Sequence, residues 1–233
     1  MKENVVTTHF GAEHAVQYDE RWVRFAPIRD ALNFLARMVL LGLRADARIL
    51  CVGVGTGVEL LDLAKAFPGW KFVAVEPSGP MLAVCRAKAE QAGIAARCEF
   101  HEGYLDTLPA SSESFDAATS ILVSQFLVDT AERREFFRQI STRLRPGGVL
   151  VDADLASSLP PGEVEDLYEI WMRANTGATE GLPKLSDSAW GKLVAVPEPK
   201  QVEAIIASGG FEKPILFYQA LFIHGWYART PSR

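Results

Sequence analysis

The sequence has too few cysteines, too widely spaced, for a disulfide-bonded or zinc-binding protein. Its 233 residues include Cys51, Cys85 and Cys98, and no two of them form a Cys-x-x-Cys motif. This pattern predicts reduced, mostly buried thiols, and no metal site is expected. The N-terminal residues MKENVVTTHFGAEHAV also lack the apolar segment of a secretory signal. We therefore expect a cytoplasmic protein.

Long apolar runs and clusters of positive charge are missing as well. No apolar stretch reaches the roughly 18 residues of a membrane-spanning helix. The net charge is −5, and no run of lysine and arginine is present that would follow a nucleic-acid backbone. These absences disfavour membrane and nucleic-acid partners, and we expect a small-molecule substrate.

The chain does contain a regular alternation of short β-branched runs and longer segments of helical periodicity. This alternation is typical of βαβ units on a parallel sheet, and the length suits one α/β domain over residues 1–233. Helices are expected after the first, second and fourth strands, and the last of these helices is predicted to stop at Pro146-Gly147-Gly148. The predicted strands are RILCV (48–52), FVAVE (72–76), ARCEFH (96–101), SFDAATSILV (114–123) and VLVDAD (149–154).

The two ends of the chain have a different character from this alternating core. Residues 1–45 are predicted to form a helical lid over the mouth of a crevice, because residues 18–43 are amphipathic. Residues 155–197 combine a helix with a long loop rich in Gly, Pro and Ser, which predicts an insertion over the site. The last two strands, EKPILFYQ and LFIHGWYAR, are too close in sequence to be parallel and predict an antiparallel hairpin at the sheet edge.

Three glycines, Gly53, Gly55 and Gly57, stand between the first strand and its helix. Glycine there lets a ligand approach the backbone amides and the helix N-terminus. Glu76 closes the second strand, where a carboxylate can accept hydrogen bonds from both hydroxyls of a ribose. A dinucleotide fingerprint would place its third glycine at position 58, which is Val58, so NAD is disfavoured.

Together these segments resemble the class I S-adenosylmethionine-dependent methyltransferases. The resemblance runs from about Ala47 to the C-terminus and implies a Rossmann-like fold with a seven-stranded, mostly parallel sheet whose last strand is antiparallel. It also implies that the three glycines lie under the methionine moiety of the cofactor, Glu76 on its ribose and Met81 against its adenine. The segments that carry it are ILCVGVGTG, VAVEPSGPML, GYLDTLPASSESFDAATS, LRPGGVLV and SGGFEKP.

One departure from the family pattern concerns the adenine. Many members have an aspartate directly after the glycine that follows the third strand, whereas this chain has Tyr104 there and Asp106 two residues later. Two arrangements stay open: Asp106 accepts the adenine amino group, or the Leu105 backbone and a stacked Tyr104 hold the ring.

The resemblance also suggests residues around the reacting methyl group. Ser120 is expected near the methionine part and Gln125 near the methyl group, with a purely structural polar pair as the alternative. Tyr18 resembles the lid tyrosine of the family, and Arg21, Arg24 or Arg29 is a candidate partner for the methionine carboxylate. Aromatic faces attract a sulfonium, so Tyr168 and Trp171 join Tyr18 and Gln125 as catalytic candidates, with core packing as the alternative.

The sequence therefore predicts an S-adenosylmethionine-dependent methyltransferase acting on a small molecule. The alternatives keep the cofactor without an acceptor: cyclisation to azetidine-2-carboxylate, or an activity similar to carboxy-S-adenosylmethionine synthase. The region of Trp190 contains no arginine to match the carboxylate-binding arginine of that synthase. A fold retained only for binding, and a homodimer, are also open.

Overall fold

The protein was analysed as a computed structural model that describes Ala15 and residues 18–20, 22–110 and 113–232. Arg21, a candidate partner for the methionine carboxylate, lies outside these ranges, and so do His9 and His14 of the N-terminal segment. A seven-stranded sheet with the order β3-β2-β1-β4-β5-β7-β6 forms the centre of the fold. Its strands are β1 (Arg48–Val52), β2 (Lys71–Glu76), β3 (Cys98–Glu102), β4 (Phe115–Ile121), β5 (Leu144–Leu155), β6 (Glu212–Ala220) and β7 (Ile223–Arg229).

Helices cover both faces of this sheet, and local sequence explains where several of them begin. The Ser78 side chain accepts a hydrogen bond from the Met81 amide, and the Asp129 side chain accepts one from the Glu132 amide, so both residues cap the helices that follow them. The helices are α1 (Ala26–Leu40), α2 (Val58–Ala66), α3 (Gly79–Gln91), α4 (Thr130–Ser141), α5 (Pro161–Thr176) and α6 (Pro199–Ser208).

The first five strands are parallel, and their central members are almost fully buried. In β1, Ile49, Leu50 and Cys51 have no exposed surface, because α1 and α2 cover one face of the sheet and α4 and α6 the other. Parallel strands end at the same edge, so Gly53, Glu76 and Leu122 follow or close β1, β2 and β4 on one rim. A ligand site at that rim is the usual arrangement in open α/β sheets.

The predicted antiparallel hairpin is confirmed. β6 and β7 pair antiparallel, and β7 inserts between β5 and β6, so the last strand of the chain runs against its neighbours. The prediction that α4 stops at Pro146-Gly147-Gly148 is wrong, since α4 ends at Ser141 and these three residues lie inside β5. The start of β5 is irregular: Gly147 has φ +70°, which glycine adopts without strain, and the pairing of β5 with β4 shifts register there.

Beyond β5, α5 is followed by a long connection to α6. This connection returns to the sheet edge, where the Ala195 amide donates to the Gln125 carbonyl and the Ser157 amide to the Pro197 carbonyl. Within the described ranges no helix has the length and apolar character needed to cross a membrane.

Candidate functional site

The glycine loop after β1 is shaped by hydrogen bonds to the neighbouring strand. The amides of Gly53 and Val54 both donate to the Val75 carbonyl, at 2.8 and 3.1 Å. Gly53, Gly55 and Gly57 all have positive φ, at +65°, +55° and +83°, which strains any other residue. The sequence needs glycine at each of these turns for the chain to pass from β1 into α2.

The three glycines differ in what a side chain would meet. A Cβ on Gly53 would lie 2.5 Å from Val123 Cγ2, and one on Gly57 would lie 2.5 Å from Cys85 Sγ, so both are needed for packing. A Cβ on Gly55 would meet only Met81 Cε, at an ordinary 3.6 Å. Gly55 is therefore the glycine whose missing side chain leaves open space at the crevice.

Glu76 is held beside that open space by two backbone amides. Its Oε2 accepts from Gly55 N at 3.0 Å and its Oε1 accepts from Ser78 N at 2.9 Å. Burial raises the pKa of Glu76, and the hydrogen bonds from Ser78 and Gly55 oppose that rise. A carboxylate oxygen can accept more than one hydrogen bond, so both oxygens keep capacity for ligand hydroxyls.

The N-terminal segment lies across this rim. Asp19 accepts a hydrogen bond from Thr56 Oγ1 at 2.8 Å and forms an ion pair with Lys88, which ties the segment to the glycine loop and to α3. Burial, with the charge of Glu76 next in importance, raises the pKa of Tyr18 to about 12. The structure therefore shows a segment closed over Glu76 and the glycine loop.

A cavity of about 120 Å³ remains beneath this segment. Ligand pockets commonly measure roughly 300–1,000 Å³, so the segment has to shift before a nucleoside-sized ligand can enter. Most of the cavity wall is apolar, and its polar members besides Tyr18 are Asp19, Arg29, Asn33, Thr56 and Glu59. The lining residues are Tyr18, Asp19, Trp22, Phe25, Ile28, Arg29, Leu32, Asn33, Gly53, Val54, Gly55, Thr56, Val58, Glu59, Ile121, Leu122 and Ile223.

Two residues of the cavity wall have unusual properties: Leu122 in its backbone conformation and Glu59 in the pKa of its side chain. Leu122, directly after β4, has φ +59°, a left-handed conformation that is costly for a branched side chain. Its amide donates to the Ala153 carbonyl at 2.7 Å, which holds the turn in place. Burial raises the pKa of Glu59, in the first turn of α2, to about 7.

Tyr104, Leu105 and Asp106, predicted at the adenine, follow β3, which lies on the other side of β2 from β1 and the glycine loop. Met81 is buried beside Gly55, and its position against the adenine stays a prediction. Tyr104 precedes a short 3-10 turn, Leu105–Thr107, in which the Leu105 side chain is buried and Asp106 is exposed. The Leu105 carbonyl accepts a hydrogen bond from Arg143, and the choice between Asp106 and the Leu105 backbone stays open.

Ser120 and Gln125 are both buried, and neither lines the cavity. Ser120 has no exposed surface and pairs in register with Asp152, on the face of the sheet covered by α4. The side-chain oxygen of Gln125 accepts a hydrogen bond from the Leu155 backbone amide at 3.3 Å, and the backbone amide of Gln125 donates to the Asp154 carboxylate. These bonds give Gln125 a structural role, and its predicted contact with the methyl group stays a prediction.

Tyr168 and Trp171 lie one layer behind the cavity. Trp171 packs on Phe25, with ring centroids 4.7 Å apart, and Tyr168 packs edge-on against Trp190 at 5.0 Å. Both side chains are buried on α5, in an apolar cluster that also contains Phe25 and Phe222. Arg29 does reach the cavity, where it pairs with the adjacent Asp30, while Arg24 does not line it.

Sequence reasoning missed several residues of the site. Asn33 and Glu59 carry no motif, although Asn33 interrupts an otherwise apolar buried stripe on α1 and Glu59 directly follows the glycine loop. The apolar wall made by Trp22, Phe25 and Leu122 depends on contacts between distant segments and has no local signal.

Comparison with known proteins agrees with this geometry. A family model described as a methyltransferase domain matches residues 49–148. A demethylmenaquinone methyltransferase from Thermus thermophilus is 30% identical over 192 residues, covering 77% of this chain and 81% of that protein. The chain belongs to the S-adenosylmethionine-dependent methyltransferase family. This methyltransferase acts on a small molecule, and the acceptor-free alternatives are not favoured.

Two further similarities extend beyond the matched domain. A ubiquinone/menaquinone biosynthesis C-methyltransferase from Syntrophotalea carbinolica is 28% identical over 193 residues, covering 83% of this chain and 72% of that protein. An O-methyltransferase family protein of known structure from Burkholderia thailandensis superposes with a TM-score of 0.65 at 14% identity, covering 94% of this chain and 60% of that one. The second similarity shows the Rossmann-like fold.

The methyl donor of this family, S-adenosylmethionine, fits the residues present. Gly55 leaves room that a Cβ would fill, and Glu76 offers ribose hydroxyls a carboxylate fixed by two amides. Both residues were predicted from the sequence for this purpose, and the structure brings them within one hydrogen bond of each other.

Proposed function

We infer that this protein transfers the methyl group of S-adenosylmethionine to an apolar, planar small molecule that carries an oxygen or carbon nucleophile. The observation that carries this proposal is the cavity wall beside the glycine loop. Trp22, Phe25 and Ile28 form it on one side, and Leu122 and Ile223 on the other. Such a wall favours a ring over a charged peptide or a sugar, because desolvating charge against apolar side chains is costly.

The relatives support the same class of acceptor. Two of them are named for demethylmenaquinone and for ubiquinone or menaquinone biosynthesis, whose acceptors are quinone-type rings. Their identities near 30% support the class of acceptor and leave the particular ring open.

When bound, S-adenosylmethionine supplies a methyl group already activated by its sulfonium. The chain then has to orient the two reactants and keep water out, which contributes most of the rate in such displacements. We propose that Glu76 accepts hydrogen bonds from the ribose and that Trp22 and Phe25 exclude water from the reacting end. Tyr18 covers the rim, and Tyr104, Leu105 or Asp106 is proposed to hold the adenine.

We propose a cytoplasmic location, no nucleic-acid or membrane partner, and a single functional domain in which residues 1–45 act as the lid and residues 155–197 as the insertion. A homodimer is the assembly we propose to test by light scattering.

The experiment is an acceptor screen with purified protein. S-adenosylmethionine is incubated with hydroquinones, catechols and flavonoid-type phenols, and in parallel with amines, peptides and sugars, and S-adenosylhomocysteine is quantified. We expect turnover with the apolar rings, and none in the reaction without acceptor. Turnover confined to amines, peptides or sugars contradicts the proposed acceptor class. Consumption of the cofactor alone, with 5′-methylthioadenosine as product, would instead support the cyclase alternative.

A further inference from the structure

A second cavity, of about 760 Å³, lies at the opposite end of the sheet from the glycine loop. Arg48 and Lys71, which line it, are the first residues of β1 and β2 and pair in register. Asp116 and Arg145, also in its wall, are the second residues of β4 and β5. The length of β1 therefore separates this rim from the glycine loop by about 17 Å. The volume is within the roughly 300–1,000 Å³ of common ligand pockets.

The described residues that line this cavity are all charged or polar. Four are basic and three are acidic, an excess of positive charge in a chain whose net charge is −5. The basic residues are Arg44, Arg48, Lys71 and Arg145. Such a wall offers no apolar surface to a ring or a lipid chain, whereas its cations can replace the water around an anion. The cavity therefore suits a soluble, multiply charged anion.

Asp116 anchors two of the arginines. Its carboxylate is 1% exposed and accepts hydrogen bonds from Arg145 Nε at 2.8 Å and from Arg44 Nε at 3.1 Å. The backbone amide of Arg48 is a third donor, at 2.9 Å. Burial acts to raise the pKa of Asp116, but the hydrogen bonds from these three residues outweigh it and hold that pKa below its usual range. The anchor is therefore a charged carboxylate.

Anchoring through Nε leaves the outer ends of both guanidinium groups available. No described residue accepts a hydrogen bond from the Nη atoms of Arg44 or Arg145, whose side chains are 54% and 45% exposed. Lys71 is exposed too, and within the described ranges its ammonium forms no ion pair or hydrogen bond. The Nη atoms of a fixed guanidinium match the oxygens of a phosphate group, which arginine binds with two parallel hydrogen bonds.

We propose that Arg44, Arg145 and Lys71 form a binding site for the diphosphate group of a soluble molecule, at the rim opposite the crevice for the methyl donor. Each arginine takes one phosphate through its Nη atoms. Lys71 adds an ammonium with three donors and no acceptor. Because the two sites lie at opposite rims, the diphosphate does not compete with the methyl donor. The site goes beyond methyl transfer and does not depend on the proposed acceptor class.

Inorganic pyrophosphate is the probe for this site. Its dissociation constant is measured by calorimetry in about 0.15 M chloride, which screens exposed charges beyond about 8 Å. The variants are Lys71→Gln and Arg145→Lys, and the latter keeps the positive charge and can still pair with Asp116 but lacks the Nη atoms. Arg138→Lys on α4 and Lys65→Gln on α2 are the matched controls, because both residues are exposed and neither lines the cavity.

We expect the native protein to bind one pyrophosphate per chain. Arg145→Lys and Lys71→Gln should each bind it about tenfold more weakly, through the loss of charge-assisted hydrogen bonds. The two controls should bind like the native protein, and saturating S-adenosylhomocysteine should change the pyrophosphate constant less than about twofold. Lys71→Gln removes no interaction with a described residue, so it gives a reading even if Arg145→Lys disturbs the anchor at Asp116.

Equal affinity of Arg145→Lys and the native protein overturns the site, because charge alone would then account for the binding. Absence of saturable binding, or displacement of pyrophosphate by S-adenosylhomocysteine, overturns it as well. Cosedimentation with phosphatidylcholine vesicles that contain phosphatidate, without binding of pyrophosphate, would contradict a soluble ligand. Failure of S-adenosylhomocysteine to bind contradicts the methyl-donor crevice instead, so failure of this site and failure of the proposed function are distinguishable.

Discussion

Arg133 and Asp154 form a fully buried ion pair beneath the turn that follows β4. Arg133 Nη2 lies 2.5 Å from Asp154 Oδ2, and both side chains are at most 2% exposed. The other hydrogen bonds of Asp154 come from the Ser124 hydroxyl and from Gln125 N at 2.8 Å. One carboxylate therefore fixes α4, the 3-10 turn Ser124–Phe126 and β5 relative to each other.

Asp154→Asn should destabilise the protein by about 3–5 kcal/mol, because it leaves the Arg133 charge buried without its partner. Asp152 provides the matched control, two residues away on the same face of β5. Burial and the charge of Asp154 raise the pKa of Asp152 well above its usual range, and neither oxygen of this buried carboxyl has a hydrogen-bond partner among the described residues. Asp152→Asn should therefore be neutral or stabilising at pH 8. Urea unfolding of both variants measures the difference, and equal losses would show that Asp154 has no special role.

The sequence predicts this part of the molecule only in outline. Strand β4, helix α4 and strand β5 follow from local periodicity, because buried parallel strands are short apolar runs between helical segments. The ion pair joins residues 21 positions apart, and the Gln125–Leu155 bond joins residues 30 apart. Nothing local marks such partners, which explains why the sequence could not predict the bonds that Gln125 makes to Asp154 and Leu155 of β5.

The glycines of the loop should respond differently to alanine. Gly53→Ala and Gly57→Ala create contacts of 2.5 Å with Val123 and Cys85 in addition to a strained φ, so we expect losses of about 2–4 kcal/mol in stability. Gly55→Ala has room, and only its φ of +55° costs about 1 kcal/mol. Its effect should appear in binding, as a loss of S-adenosylhomocysteine affinity with most of the stability kept. Thermal unfolding and calorimetry on the three variants test this order.

The sequence could predict the glycine loop because its geometry is encoded within a few residues. It could not predict which glycine faces the ligand, since that depends on Val123 and Cys85, which come from other segments. The same limit applies to Asn33, which reads in sequence as one polar residue on an amphipathic helix. Only the packing of α1 over the glycine loop places its amide in a cavity.

Glu76→Gln should weaken S-adenosylhomocysteine by about 1–3 kcal/mol, through the loss of charge-assisted hydrogen bonds to the ribose. Glu102→Gln is the control, because Glu102 pairs with Glu76 in register on β3 but is exposed. Calorimetry should show a normal dissociation constant for Glu102→Gln. An unchanged constant for Glu76→Gln would mean that another group holds the ribose.

Glu59 should make stability depend on pH. Its pKa rises from an ordinary 4.5 to about 7 on folding, so the folded state binds this proton more tightly than the unfolded state does. The resulting stability is present below about pH 4.5 and is lost as the pH rises through 7. Glu59→Gln removes this dependence, and at pH 8 it should exceed the native protein in stability by about 1–3 kcal/mol. Urea unfolding at pH 5 and pH 8 checks the sign, and a larger gain at pH 5 contradicts it.

The contact of Asp19 with Thr56 and Lys88 should slow entry of the cofactor. The cavity of about 120 Å³ is too small for a nucleoside, so the segment around Tyr18 has to move, and that movement breaks both contacts. Asp19→Ala removes them in advance, and two partly exposed interactions of this kind contribute about 1 kcal/mol together. S-adenosylhomocysteine should therefore associate about fivefold faster with Asp19→Ala than with the native protein.

Stopped-flow fluorescence can follow the association through Trp22, which lines the same cavity. Glu20→Ala, an exposed neighbour on the same segment, should associate at the native rate. Limited proteolysis offers a second measurement, because the segment should be cut faster in free Asp19→Ala and protected in both proteins once ligand is bound. An association rate unchanged by Asp19→Ala would show that the segment opens without breaking these contacts, and the barrier to entry would then lie in the packing of Tyr18 and Trp22.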